Sequence, residues 1–161
     1  MKQDQNILAT LLSIPFSRGA LAGLVATVPM TLFMLVMHRL LPNWQRYALP
    51  PERVTGELAE RADVDLDKPQ LLGASLLSHF GYGANMGALY SSLTRRIPLP
   101  PVLKGIVFGI AIWAASYLGW MPGLRIEQAA TEEPLRRNVM MVAAHMIWGA
   151  TTGIVADRLG R

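Results

Sequence analysis

Residues 19–41 read GALAGLVATVPMTLFMLVMHRLL, with no charge before Arg39. About 20 mostly apolar residues cross the hydrocarbon core of a bilayer as a helix, so this stretch is a membrane span by length and chemistry. Three further stretches extend the pattern. Residues 70–93, QLLGASLLSHFGYGANMGALYSSL, hold no Asp, Glu, Lys or Arg. Residues 101–121 carry only Lys104 near their start, and residues 138–156 are uncharged throughout. The second and fourth are diluted by Gly, Ser, Thr and His, the composition of helices that face other helices rather than lipid.

The whole chain agrees with these segments. Of 161 residues, 52% are hydrophobic and only 16% charged, against roughly 25% charged in an average soluble domain. Mean hydropathy is +0.30. With no cysteine, disulfide scaffolds, thiolate metal sites and cysteine nucleophiles are excluded. The net charge of +4 gathers at the ends of apolar runs rather than in a basic stripe with aromatics, so nucleic acid is not an expected partner. The fold class predicted is all-α, an integral membrane four-helix bundle forming one membrane domain over 1–161. Residues 1–17 form an interfacial N-terminal segment, because Asp4 interrupts the basic start and no small-residue cleavage site follows. A polar loop, 42–69, joins the first two spans and contains a helix over 51–61, with Pro51 in its first turn. The acidic run 63–67 lacks the Gly and the distal Glu of a calcium loop and reads as solvated.

The chain repeats itself. His79, Gly83, Ala84 and Gly87 align without a gap with His145, Gly149, Ala150 and Gly153, and the same offset of 66 pairs Leu93 with Leu159 and Arg95 with Arg161. Arg18, Gly19 and Gly23 correspond to Lys104, Gly105 and Gly109, an offset of 86. Two tandem-duplicated transmembrane hairpins of the same orientation follow. The Gly-xxx-Gly pairs Gly19/Gly23, Gly83/Gly87, Gly105/Gly109 and Gly149/Gly153 are the helix-packing residues expected from this pattern. On the first and third spans they are equally available to a second copy or a membrane-protein partner. Lys and Arg divide seven on the side of the termini and eight opposite, the seven lying closer to span ends, which places both termini in the cytoplasm.

All three histidines fall inside spans, where an ionisable group is costly and marks a site. At 1.5 Å per residue, His79 lies about 14 Å and His145 about 10 Å from the face opposite the termini, and His38 about 5 Å. Gly83 and Gly87 share a face with His79, and Gly149 and Gly153 with His145. Two uses compete. In one, the glycines let backbones approach and each imidazole makes one interhelical hydrogen bond. In the other, the glycine gap admits a cofactor held by His79 and His145, with haem b the first candidate. A divalent metal held by His38, His79 and His145, a quinone pocket and a proton relay are further alternatives. Asn85 is expected to bond a neighbouring helix, and Pro29 to bend the first span.

No nucleophile–base set, phosphate loop, dinucleotide fingerprint or carboxylate pair is present, so the sequence supports no catalytic residues. Ala144-His145-Met-Ile-Trp148-Gly149, Leu49-Pro50-Pro51-Glu-Arg53, and Lys104-Gly105-Ile-Val-Phe-Gly109 followed by Trp113 resemble the YagU-like group of small bacterial inner-membrane proteins. That resemblance implies a multi-span protein of a bacterial cytoplasmic membrane. The group carries no agreed chemistry to transfer. The functional expectation is a small structural or accessory subunit acting through helix association in the lipid bilayer. A haem- or metal-binding electron carrier and a small transporter are the alternatives.

Overall fold

Apolar side chains run without a charge from Gly19 to His38, and this stretch lies within one uninterrupted helix, α1 (Pro15–Leu40). The computed structural model describes residues 15–160, and every regular element among them is helical. A short 3-10 turn (Asn43–Gln45) leads to α2 (Pro50–Arg61), which starts on two prolines and carries Glu52 in its first turn. α3 (Lys68–Thr94) begins with Asp67 accepting from Gln70 N at 2.8 Å, while the Gln70 side chain accepts from Asp67 N at 3.0 Å. This capping box is the role of the last acid in the 63–67 run. α4 (Pro101–Gly123) is α-helical to Ala114, widens to a π-turn over Ala115–Trp120, and closes with one short turn. α5 (Leu135–Gly160) completes the chain.

α1, α4 and α5 are long and apolar enough to cross a membrane. α3 matches them in length with 27 residues, about 40 Å of helix, but its Gly, Ser and His content keeps it out of that class. Of the expected four-helix bundle, the structure gives the helices and the following neighbours. α3 packs on α1, α1 on α5 and α5 on α4, whereas α3 and α4 barely touch. Residues 15–17 of the expected interfacial segment already belong to α1, and its remainder lies outside the described residues.

Glycines set two of the three interfaces. A Cβ on Gly23 would fall closer than 3.0 Å to the Gly83 carbonyl, and one on Gly19 or Gly87 would strike the other's carbonyl oxygen. In the second crossing Gly105 and Gly149 oppose each other, Gly109 meets the His145 carbonyl, and Gly153 meets that of Pro101. Backbone at this distance admits no side chain, so each position requires Gly. The two crossings match when Gly23 corresponds to Gly105 and Gly19 to Pro101, an offset of 82. This is one helical turn from the sequence offset of 86. The glycines that align by sequence, Gly19 and Gly105, therefore occupy different places in their crossings.

Outside the glycines, hydroxyls satisfy carbonyls of their own helix, as Thr27 does to Gly23 (2.8 Å), Thr31 to Thr27 (2.7 Å) and Ser75 to Leu71 (2.6 Å). Asn85 does the same, donating to Gly81 O at 2.9 Å from an exposed position rather than crossing to a neighbour. Aliphatic side chains such as Leu24, Val28, Leu32 and Val36 cover the outer face of α1. Substituting Gly23 or Gly149 with Leu is expected to cost about 2–3 kcal/mol or more through overpacking. Gly73, which has open space around its Cβ position, should accept Ala with a gain of up to about 1 kcal/mol. Thermal unfolding in detergent measures both.

Candidate functional site

Where α3 and α4 barely touch, the helices form a half-open cavity of about 230 Å³ in the half of the molecule away from the termini. Helical spacing brings its lining to one place. α1 contributes Thr27, Met30 and Met34, and α5 contributes Met141, His145 and Trp148. From α3 come Ser78, His79, Tyr82 and Met86. The π-turn of α4 adds an extra residue per turn, so the adjacent Ser116 and Tyr117 both reach the lining. Pro50, Val54 and Leu58, on one face of α2, cover the end nearest the loops. Two cross-helix bonds flank the space: Trp148 Nε1 donates to Gly23 O at 3.1 Å, and the Tyr82 and Ser116 hydroxyls lie 3.2 Å apart.

His79 and His145 line this one cavity from different helices. His145 Nδ1 donates to Met141 O at 2.8 Å on its own helix. In the neutral ring this leaves Nε2 with a lone pair. Tyr117 packs edge-on against that ring, with centroids 6.0 Å apart. His79 packs edge-on to Phe80, and its Nε2 is buried with no hydrogen-bond partner. Neither histidine makes the interhelical bond expected of a packing residue. His38 is elsewhere: its Nε2 donates to Tyr47 O at 3.0 Å and it does not line the cavity. The three-histidine metal set is not assembled, and no group of three metal donors occurs among the described residues. Of the helix-packing glycines, Gly83 alone lines the cavity.

Beside the cavity floor lies a charged cluster drawn from α2, both loops and the start of α5. Arg137 is 3% exposed. Its guanidinium donates to the carbonyls of Gln45 (3.0 Å), Tyr47 (3.3 Å) and Ala48 (3.3 Å), pairs with Glu133 at 3.3 Å, and stacks 3.6 Å from the Tyr47 ring centre. Arg53 from α2 reaches Glu127 at 2.6 Å and Glu133 at 3.2 Å. Tyr47 donates its hydroxyl to Glu133, and Asn138 donates to Ala130 O. The cluster ties α2 and both loops to the start of α5. Glu133 and Arg137 are one helical turn apart, but the partners that α2 and the first loop supply lie about 70–90 residues away in the chain, so local spacing shows only that one pair. Arg61 extends the tie by donating to Leu124 O and Arg125 O at 2.9 and 2.8 Å.

Removing one member of a buried ion pair strands the other, so Arg137→Met should lower stability by about 3–5 kcal/mol. Burial pushes the Glu127 carboxyl above the ordinary carboxylate range, opposed by Arg53, a backbone N–H from Gln128 and Arg137, while Glu133 adds to the rise. The folded protein thus holds this proton more tightly than the unfolded chain. Its stability therefore falls as pH rises from about 4.5 through the raised value. Glu127→Gln should remove that part of the slope, measured as the difference between wild-type and variant melting temperatures from pH 4 to 8.

No curated protein and no solved structure matches this chain. A family model described as "Protein of unknown function (DUF1440)" matches residues 50–154, a stretch holding α2, α3, α4 and most of α5 with both cavity histidines, and the chain belongs to that family.

Proposed function

We propose that this chain is a bacterial inner-membrane protein with both termini cytoplasmic, in which α3 is a fourth span, and that it binds a small membrane-soluble molecule in the half-open cavity between its helices. The observation that carries the reading is an apolar space of about 230 Å³ shared by four long helices and entered by two imidazoles. Ligand sites are concave, mostly apolar hollows with a few polar groups, often between the helices of a bundle, and this half-open space has that character. Membership of α3 among the spans is supported by its glycines, which pack along α1 just as those of α5 pack along α4.

The accessory-subunit reading has less support, because the small-residue faces that would recruit a partner are occupied within the chain. What remains outside is aliphatic, suited to acyl chains. Haem b also fits poorly. Pockets for drug-sized ligands run to about 300–1,000 Å³, and a porphyrin needs more than the space here.

Five of the nine methionines line the cavity: Met30, Met34, Met86, Met121 and Met141. With methionine methyls labelled by ¹³C, titration of the detergent-solubilised protein with toluene should shift these five resonances saturably. Met146, on the outside of α5, should drift linearly as toluene enters the micelle. Linear drift of all resonances alike would overturn the proposal.

A further inference from the structure

We infer that the ligand is a membrane-soluble phenol or quinol, an aromatic ring with a free hydroxyl and an apolar tail. The inference rests on the reading of the cavity as a binding site and adds to it the chemistry of the occupant. Size comes first. An apolar cavity of about 150 Å³ accommodates benzene, so 230 Å³ takes one ring with small substituents. The walls favour an aromatic ring over an aliphatic chain. Thioethers of five methionines face the space, and sulfur contacts with rings are favourable and adaptable.

Polar groups then set the hydroxyls. The Thr27 hydroxyl is committed to a carbonyl, that of Ser78 to a carbonyl and to Thr55, and those of Tyr82 and Ser116 to each other. The imidazoles are not. His145 offers the lone pair of Nε2, since its N–H is spent on Met141 O. It therefore calls for a ligand O–H rather than a carbonyl. His79 lines the space with its ring, but its unpartnered Nε2 is itself closed off from the cavity and makes no demand on the ligand. A ring hydroxyl directed at His145 meets this demand. A quinone presents only acceptors and would set a carbonyl oxygen against the His145 lone pair.

Access fits a molecule that stays in the bilayer. Tyr82 and Trp120 stand at the lining on α3 and α4, and they are 37% and 38% exposed where these helices barely touch. A ring enters there while its tail remains among the acyl chains.

The test uses decylubiquinol, decylubiquinone and the dimethyl ether of decylubiquinol, each titrated under the same labelled-methionine readout, with dithionite keeping the quinol reduced. The quinol is expected to bind about ten-fold or more tightly than either the quinone or the ether, the ordinary consequence of leaving a buried polar group without its partner. His145→Phe should bring quinol affinity down to that of the ether while toluene still binds. His145→Gln, which keeps an acceptor, should retain part of the preference and covers the case in which Phe disturbs folding. If toluene binds saturably but quinol and ether bind equally, the quinol assignment falls and the cavity reading stands. If none of the probes saturates, both fall.

Discussion

Backbone-to-backbone contact at two glycine crossings governs the rest of the molecule. Within a bilayer, helices gain little from burying apolar side chains, since lipid is equally apolar, and close van der Waals approach must hold them instead. Gly23 on Gly83 and Gly105 on Gly149 bring α1 to α3 and α4 to α5 as closely as two helices can lie. Each pair is then a rigid unit. α1 and α5 join the units through larger side chains, chiefly Met30, Met34, Met140 and Trp148 in the core. Two flat pairs joined along one edge meet poorly along the other, and the cavity is the space left between α3 and α4.

The loop end needs a different kind of attachment. Beyond the apolar stretches, α2 and the two loops have few large hydrophobic side chains to bury. A desolvated network replaces them: Arg137 collects three carbonyls, Glu133 and the face of Tyr47, and Arg53 joins Glu127 and Glu133. Such a network gives position more than stability, because the loss of hydration offsets much of the attraction. Here it fixes α2 over the cavity, with Pro50 belonging both to the cavity lining and to the charged cluster.

Glycine spacing was legible in the sequence because a helix repeats every 3.6 residues and close crossings demand small residues at that period. The register of the crossings was not. Sequence comparison pairs Gly19 with Gly105, led by Arg18 and Lys104, yet packing pairs Gly19 with Pro101 because what Gly153 approaches is a carbonyl, which any residue supplies. Depth estimates for His79 and His145 could bring them to one level, but their hydrogen bonds depended on side-chain direction, and Asn85 turned to its own helix for the same reason. The charged cluster was illegible for another cause. Apart from Glu133 and Arg137, four residues apart, its pairs are remote in sequence, and each charge alone resembles any loop charge.

Tyr82 and Trp148 occupy aligned positions in the two copies of the His-x-x-aromatic-Gly stretch, and their different bonds explain why one side of the molecule is closed and the other is not. Trp148 inserts at the α1–α5 junction and donates to a backbone carbonyl, Gly23 O, which cannot move without moving α1. Tyr82 meets only the Ser116 hydroxyl, a side chain on the π-turn of α4 that either rotor can release. An indole bonded to backbone at one junction and a phenol bonded to a side chain at the other make the first contact the more firmly anchored. The His79 and His145 rings stand behind that contact. The cavity is thus bounded by a backbone-anchored contact at α1 and α5 and by a side-chain contact at α3 and α4, which accords with the proposed entry of a ligand between α3 and α4.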